Sequence, residues 1–198
     1  MIGILGTTEI NRYISDLHLG HGNILYSRPQ FKNVEEMNET IINNWNECVN
    51  EKDHVWICGD FSYRSKIHVG SYLGRLKGHK HLIIGNHDIK WMKNCNLDKY
   101  FDSVQYMAVI KDRKRSITLC HYPMMEWPGS RYAKFSLEDG HSFLIHGHIH
   151  NSTTCDAYKY IRKSLPCALN CCVDINDYRP VTFEELFANN SKWYGRLD

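Results

Sequence analysis

The feature that most constrains this chain is a series of five short polar motifs, each directly after an apolar, β-prone run or one residue beyond it. In chain order they are Asp16-Leu17-His18, Gly59-Asp60, Gly85-Asn86-His87-Asp88, His121 and Gly147-His148-Ile149-His150. The preceding runs are 13–15, 55–58, 81–84, 116–120 and 143–145. Open α/β folds place their active sites at the carboxyl ends of strands, so these motifs are expected to meet at one sheet edge. Their carboxylates, imidazoles and carboxamide are the groups of a metal centre.

Length and composition indicate an ordinary globular chain. The 198 residues suit one domain spanning 1–198, and 42% hydrophobic residues are enough for a sizeable core. The formal net charge of +2 neither favours nor excludes a nucleic-acid partner. No apolar run is long enough to cross a bilayer, and residues 1–9 lack the basic and apolar regions of a secretory signal. We therefore expect a cytoplasmic protein without a membrane partner.

The first half of the chain alternates strands with helical patterns. Apolar residues recur at three and four over 34–49, with Asn33 as the expected N-cap and Glu36 at the reciprocal position. Shorter helices are predicted over 65–76 and 89–97. The order strand, helix, strand, helix, strand predicts an α/β fold.

The second half is richer in strands. A strand is predicted over 104–110 and joined to 116–120 by a hairpin at 111–115, whose charges favour a solvated tip over a nucleic-acid contact. A further strand is predicted over 168–174, and Thr182-Phe183-Glu184-Glu185 is a capping box that opens a helix. The two halves together predict two sheets packed face to face with helices outside.

The spacing within the motifs suits metal binding. If the chain stays extended, Asp16 and His18 point the same way and reach one ion, and His148 and His150 repeat this spacing. Asp60 ends a buried strand, where a carboxylate must be paired or bound to a metal, and its two oxygens could bridge two cations.

The remaining motif residues extend the donor set. Asn86 offers a neutral oxygen and His121 another imidazole, whereas the adjacent His87 is positioned differently and is available as an acid or base. No cysteine is among the candidates. Nitrogen and oxygen ligands favour Mn²⁺, Fe, Ni²⁺ or Zn²⁺ over Cu(I) or an iron–sulfur cluster.

In order, spacing and residue type, the series resembles the calcineurin-like metallophosphoesterases, whose pattern is D-x-H, G-D, G-N-H-[DE], H and G-H-x-H. The motifs span residues 16–150, about two-thirds of the chain. The resemblance is strongest to small single-domain bacterial and phage members, in which a Gly-His-x-Asn-Ile run follows the first motif, as residues 20–24 do here. It implies a four-layer α/β/β/α sandwich.

The resemblance also implies a two-metal site, with Mn²⁺ as the first choice. The first ion would be held by Asp16, His18, Asp60 and His150, and the second by Asp60, Asn86, His121 and His148. Asp60 would bridge the ions, which would supply a hydroxide for in-line attack on phosphorus. His87 would be the general acid for the leaving oxygen, a role typically worth ~10²–10⁴-fold.

One stretch departs from a branch of this superfamily. The protein Ser/Thr phosphatases carry G-D-x-V-D-R-G, and this chain has Tyr63 in place of the second aspartate, which orients the catalytic histidine. A protein phosphatase is therefore disfavoured, and the group that orients His87 is left open. Arg64 suits contact with a substrate phosphate, whereas His21 either binds phosphate or is simply hydrogen-bonded.

The implied substrate is a small phosphodiester or phosphomonoester such as a nucleotide, because the chain lacks the length for a capping domain. One alternative is a nuclease acting on RNA or DNA. Another is an interaction scaffold with the same fold; a known scaffold of this fold has lost the catalytic histidine, which is present here as His87. The natural substrate, the physiological metal and the oligomeric state do not follow from the sequence.

Other polar residues carry weaker signals. Cys155, Cys167, Cys171 and Cys172 could hold zinc, but they contain no Cys-x-x-Cys pair, so packing is favoured. The histidines outside the motifs, apart from His21, are expected to be structural or on the surface: His54, His68, His79, His81, His141 and His146. Trp127 and Tyr132 either pack or line a substrate pocket.

Overall fold

The structure, a computed structural model, describes residues 9–195. Residues 1–8 and 196–198, and so most of the segment considered for a secretory signal, lie outside the described residues. The strands are β1 Asn11–Ile14, β2 His54–Ile57, β3 His79–Ile83, β4 Ser103–Gln105, β5 Met107–Asp112, β6 Arg115–Cys120, β7 Ser142–His146 and β8 Ala168–Asn170. The α-helices are α1 Val34–Cys48, α2 Val69–Leu73, α3 Ile89–Met92, α4 Asp156–Ser164 and α5 Phe183–Trp193.

The strands form two four-stranded sheets. The first has the order β1-β2-β3-β4, with every neighbouring pair parallel. The second has the order β5-β6-β7-β8, in which β5 and β6 form an antiparallel hairpin and the other pairs are parallel. The predicted α/β fold with two sheets and flanking helices is confirmed.

Alternation along the strands places the two faces of the first sheet in different environments. Trp56 of β2 belongs to the same buried cluster as Ile117 and Phe143 of the second sheet. Its neighbours Val55 and Ile57 belong to a cluster that contains Met37, Ile41 and Trp45 of α1. Because successive strand residues point to opposite faces, one face meets the second sheet and the other is covered by helix.

The predicted helix starts are largely confirmed. The Asn33 side chain accepts a hydrogen bond from the Glu36 amide, whereas the Glu36 carboxylate accepts from the Lys32 amide rather than that of Asn33. At α5 the capping box is complete, since Thr182 and Glu185 each accept from the other's amide. Among the described residues, no helix is both long and apolar enough to cross a membrane.

The predicted strand over 104–110 is wrong as a single element. The chain breaks at the exposed Tyr106, so that β4 pairs with β3 in the first sheet and β5 pairs with β6 in the second. A period-of-two pattern describes both halves equally well. It does not reveal that the chain passes from one sheet to the other between them.

The predicted helix over 65–76 is shortened to α2 at 69–73. Ser65 Oγ instead bonds to both the amide and the carbonyl of Ile67, which makes a local turn that competes with helix. The helix predicted over 89–97 ends at Met92, and the strand predicted over 168–174 ends at Asn170.

The cysteine group near the C-terminus serves packing and capping. Helix α4, which the sequence analysis did not predict, begins after Cys155, whose sulfur accepts from the Tyr158 amide. Cys167 and Cys171 are buried in the core. Of the four cysteines, only Cys172 belongs to a group that could hold a metal among residues 9–195, and its partners there are His150 and Asp174. A zinc site built from the four cysteines is not formed.

Candidate metal centre

The motif residues meet beyond the carboxyl ends of five strands, as expected. They lie in the loops that follow β1 (Asp16, His18), β2 (Asp60), β3 (Asn86, His87), β6 (His121) and β7 (His148, His150). Two groups of donor atoms result, each with its atoms within 4.8 Å of one another. The groups are Asp16, His18 and His150, and Asp16, Asp60 and His121.

Asp60 lies between the two sides of this centre. Its Oδ2 is 3.7 Å from His18 Nε2 on one side and 3.5 Å from His121 Nε2 on the other. On the first side, His150 Nε2 lies 3.6 Å from Asp16 Oδ1. Burial raises the pKa of Asp60, against the lowering effect of His121. One carboxylate oxygen therefore faces both groups of imidazoles.

Asn86 joins the second side of the centre. Its Oδ1 lies 3.0 Å from His121 Nε2 and 3.1 Å from His148 Nδ1. His121 Nδ1–H donates to the Cys58 carbonyl at 2.9 Å, and in that tautomer the Nε2 lone pair faces oxygen acceptors. A cation placed between His121 Nε2 and Asn86 Oδ1 would be bound by lone pairs that otherwise repel each other.

His18 provides the direct test of whether a metal fits. Both of its ring nitrogens are buried and have no hydrogen-bond partner. Burial first, and then the nearby His150 and Arg28, lower the pKa of His18 to about 2, so its ring is neutral. Buried polar atoms need partners, and a mixed nitrogen and oxygen donor set suits Mn²⁺, Fe, Ni²⁺ or Zn²⁺. The residues present fit a divalent metal.

The backbone at these residues is not extended, so that premise of the sequence analysis is wrong. Asp16 and His18 have φ values of 56° and 51°, Asp60 has 55°, and His148 and His150 have 72° and 50°. Residues other than glycine rarely adopt this left-handed region, and such strain clusters at functional sites. The side chains converge because the chain turns, not because it alternates.

Two motif glycines make room for the carboxylates. A Cβ on Gly85 would lie 2.4 Å from Asp60 Oδ1, and one on Gly147 would lie 2.5 Å from Asp16 Oδ2. Contacts this short do not occur, so only glycine fits at either position. The backbone at Gly147 therefore approaches the Asp16 carboxylate closely.

Asp88 is a buried organiser that the sequence analysis did not identify. Its Oδ2 accepts from the amides of Gly85 and Asp60, both at 2.8 Å, and its Oδ1 accepts from the Phe61 amide at 2.9 Å and Trp91 Nε1 at 2.8 Å. This carboxylate therefore ties the loop after β3 to the loop after β2. The sequence feature that could have revealed this role is the position of Asp88 itself, an acidic residue that ends the third motif.

A buried ion pair supports the first side of the centre and was also missed. The Arg28 guanidinium donates to both oxygens of Asp174, at 2.8 and 2.9 Å, and to the Asp16 carbonyl at 2.6 Å. Asp174 Oδ2 lies 3.2 Å from His150 Nδ1. Burial alone would raise the pKa of Asp174, but hydrogen bonds from His150 and Arg28 hold it well below its usual range. Arg28 and Asp174 are 146 residues apart in the sequence, so no local pattern predicts that they form a pair.

His87 lies at the rim of the centre. Its amide donates to Asp60 Oδ1 at 2.8 Å, and its Nε2 lies 3.9 Å from Asp60 Oδ2. The ring packs against Tyr63 at a centroid distance of 4.0 Å, and Tyr63 also contacts His21 at a centroid distance of 4.9 Å. Tyr63 thus contacts the His87 ring from the position where the protein Ser/Thr phosphatases of the resembled superfamily carry an aspartate.

A cavity of about 400 Å³ opens beside His87. Its lining includes Tyr63 and three cationic side chains, Arg64, Lys66 and Lys90. The two loop aromatics considered for the pocket lie elsewhere: Trp127 is buried and donates to Ser142 Oγ at 3.1 Å, and Tyr132 is largely exposed. Both line a separate cavity that contains none of the motif residues.

Comparison with known proteins places this geometry in a family. The calcineurin-like phosphoesterase superfamily domain matches residues 12–165. The chain is 33% identical to an uncharacterized protein of Methanocaldococcus jannaschii, over 86% of this chain and 85% of the relative. It is 31% identical to the gene 66 protein of Mycobacterium phage L5, over 70% of this chain and 76% of the relative.

A solved structure shares the fold. A protein of unknown function from Aquifex aeolicus superposes with a TM-score of 0.67 at 28% identity, over 90% of this chain and 97% of that one. The matched residues include all five motifs and the loops that carry them. The chain belongs to the calcineurin-like phosphoesterase superfamily.

Proposed function

We propose that this protein is a metal-dependent hydrolase of small phosphodiesters or phosphomonoesters, of nucleotide-like size, with His87 as the general acid. Family membership supports phosphoesterase chemistry. The observation that carries the proposal is the position of Asp60 Oδ2, which faces His18 on one side, His121 on the other, and His87 Nε2 at 3.9 Å.

The proposed metal ligands are the seven motif residues other than His87: Asp16, His18, Asp60, Asn86, His121, His148 and His150. Two divalent ions held there, Mn²⁺ in the first instance, would act as Lewis acids and lower the pKa of bound water. The chain orients two of the imidazoles through their second nitrogens, His121 towards the Cys58 carbonyl and His150 towards Asp174. Metal-binding histidines commonly use this arrangement.

His87 is the proposed proton donor to the leaving oxygen. Its side chain is about one-third exposed, at 32%, and stands between the buried Asp60 and the adjacent cavity. A protonated ring there would lie beside the leaving oxygen of an ester whose phosphate is bound at the metal centre. Proton donation of this kind typically raises the rate by ~10²–10⁴-fold. Tyr63 would keep the ring in place.

The cavity supports a small anionic substrate. Its volume of about 400 Å³ lies within the usual range for small-molecule sites. Arg64 lines it and is the proposed phosphate contact, since a guanidinium matches phosphate geometry. His21, whose ring contacts Tyr63 edge-on, is the second proposed substrate contact. A cytoplasmic location remains a prediction from the sequence.

The decisive experiment loads metal-free protein with Mn²⁺, Ni²⁺ or Zn²⁺ and assays it on aryl phosphodiesters, aryl monoesters and cyclic nucleotides side by side. We expect hydrolysis of at least one class. Failure on every substrate with every metal would favour the interaction scaffold. Faster cleavage of labelled RNA or DNA than of any small ester would favour the nuclease.

His87→Ala separates chemistry from metal binding. The substitution should leave the metal content unchanged and slow turnover by ~10²–10⁴-fold. Metal content is read by mass spectrometry after dialysis, on the same sample that is assayed. Unchanged turnover in this variant would remove His87 from the proposed mechanism.

A further inference from the structure

A second group of histidines lies at the opposite edge of the first sheet. His54 and His79 are the first residues of β2 and β3, His81 follows two residues later, and Asp102 directly precedes β4. The motif residues follow the other ends of the same strands. At about 3.3 Å per residue, β2 alone separates the two edges by about 10 Å. These histidines are therefore separate from the candidate metal centre.

The donor atoms of this group converge. His54, His81 and Asp102 each offer one atom within 4.8 Å of the others. The shortest distance joins His54 Nδ1 and His81 Nε2, at 2.9 Å. Two imidazole nitrogens on one tetrahedral zinc, each about 2.0–2.1 Å from the ion, lie about 3.4 Å apart. A movement of about 0.5 Å would therefore admit an ion between the rings.

Each of the three side chains is held by a further contact. His81 Nδ1 lies 2.9 Å from Ser103 Oγ, and in the tautomer in which Nδ1–H donates to this hydroxyl, Nε2 keeps a free lone pair. Asp102 Oδ2 lies 2.7 Å from His79 Nδ1. On the outer side, His54 Nε2 lies 3.8 Å from Glu9 Oε2. Partners of this kind orient ligands in known metal sites.

The strands make the group rigid and accessible. In the register of the first sheet, His54 pairs with His79, and Trp56 pairs with His81. The Trp56 and His81 rings stack at a centroid distance of 4.1 Å, which fixes the more buried imidazole. His54 and Asp102 remain open to solvent, with side chains 34% and 49% exposed. An ion could therefore enter without any rearrangement of the core.

We propose that His54, His81 and Asp102 form a second, independent site for a divalent transition-metal ion, best suited to Zn²⁺. Two imidazoles and one carboxylate leave a fourth position for water, a known zinc arrangement. Nitrogen ligands favour Zn²⁺, Ni²⁺ or Cu²⁺ over Mg²⁺ or Ca²⁺. The proposal replaces the structural or surface role expected for these histidines, and it does not depend on the proposed function.

Zinc stoichiometry tests the site. Full-length protein is stripped with a chelator and dialysed against Zn²⁺, and zinc per chain is measured for wild type, His81→Gln, His54→Gln, Asp102→Asn and His141→Gln. His141 is an exposed histidine outside the group and serves as the matched control. Zinc bound at the motif residues is common to all five proteins, so only the difference counts.

Wild type and His141→Gln should bind one more zinc per chain than the other three variants. Equal zinc content in all five would overturn the proposal and leave a direct His54–His81 hydrogen bond. If the His81→Gln variant, altered at a buried position, fails to melt cooperatively, the variants at the more exposed positions, His54→Gln and Asp102→Asn, decide the result. If the wild-type protein binds this additional zinc but hydrolyses no phosphate ester, the proposed function is contradicted and the zinc site is not.

Discussion

The contact between Tyr63 and His87 supports aromatic packing as the means by which the proposed general acid is oriented. In related protein phosphatases an aspartate orients the catalytic histidine through charge. Here an aromatic ring at 4.0 Å restricts the same imidazole by packing. The missing carboxylate is visible in the sequence, whereas the ring contact is not, and the residue after Tyr63, Arg64, has a left-handed φ of 50° that no local pattern predicts.

We predict that Tyr63→Ala lowers kcat by about 10- to 100-fold, because a small displacement of a catalytic group carries a cost of this size. Tyr63→Phe keeps the ring and should remain near wild type. Metal content should be unchanged in both variants. A hydroxyl-dependent role would instead show as an equal loss in Tyr63→Phe, measured by steady-state kinetics on the same ester.

The Arg28–Asp174 pair predicts a large stability effect from one side chain. Arg28→Met should lower the free energy of unfolding by about 3–5 kcal/mol, because the buried Asp174 would lose its guanidinium partner and keep His150 as its nearest imidazole. Arg75→Met removes a solvent-exposed pair with Glu39 and should cost less than about 1 kcal/mol. The free energy of unfolding of both variants is measured by urea denaturation. Similar losses of stability in Arg28→Met and Arg75→Met would contradict the buried-pair assignment.

The same pair has a defined pH dependence. The pKa of Asp174 is lowered in the folded state, so its contribution to stability is present above the unfolded pKa of about 4. It is lost as the pH falls through the lower, folded pKa. The Arg28→Met penalty, measured by urea denaturation, should therefore shrink in strongly acidic solution.

At the scale of elements, the loops after the strands determine the site more than the strands do. The sequence predicted which strands carry motifs, because apolar runs and their polar ends are visible along the chain. It did not predict the left-handed turns at Asp16 and Asp60. Such turns are stabilised by contacts between loops, including those to Asp88, which no local pattern records.

Gly85→Ala tests whether the close approach of the loop after β3 to the loop after β2 is required. The new methyl group would lie 2.4 Å from Asp60 Oδ1 and 2.6 Å from its amide nitrogen. We expect a loss of metal at the motif residues and of about 1–3 kcal/mol in stability, as for other overpacked sites. Gly22→Ala is the control, since its nearest contact would be Val34 Cγ2 at 4.0 Å. Full metal content in Gly85→Ala would show that the loops adapt.

At the scale of the whole molecule, the two-sheet architecture followed from the order and alternation of apolar runs. Features that depend on pairing between distant segments did not follow from these patterns. The passage from β4 to β5 at Tyr106 is one example, because both halves have the same pattern but different partners. Helix α4 was missed for a local reason, since its first residue follows an unusual cysteine cap.

The buried histidines give the metal-free protein a collective response to acid. Burial first lowers the pKa of His146 to about 4 and that of His18 to about 2. The unfolded chain therefore takes up these protons first, near pH 6.5, and stability falls as the pH decreases below that value. Each such histidine contributes a slope of about 1.4 kcal/mol per pH unit.

Unfolding free energies of metal-free protein between pH 7 and pH 4.5 measure this slope. His146→Gln should reduce it by about one histidine's share, or 1.4 kcal/mol per pH unit. His141→Gln, at an exposed position, should leave it unchanged. An identical slope in wild type and His146→Gln would mean that the His146 ring is not held neutral in the fold.

The carboxylate of Asp88 also limits how this molecule can be re-engineered. Because it accepts from the Asp60 and Phe61 amides of one loop and the Gly85 amide of the other, neither loop keeps its shape alone. A segment grafted from a relative into the loop after β2 would bring amides positioned for a different anchor. New specificities should therefore be transplanted as matched pairs of loops, and single-loop chimeras should misassemble even when both parents are active.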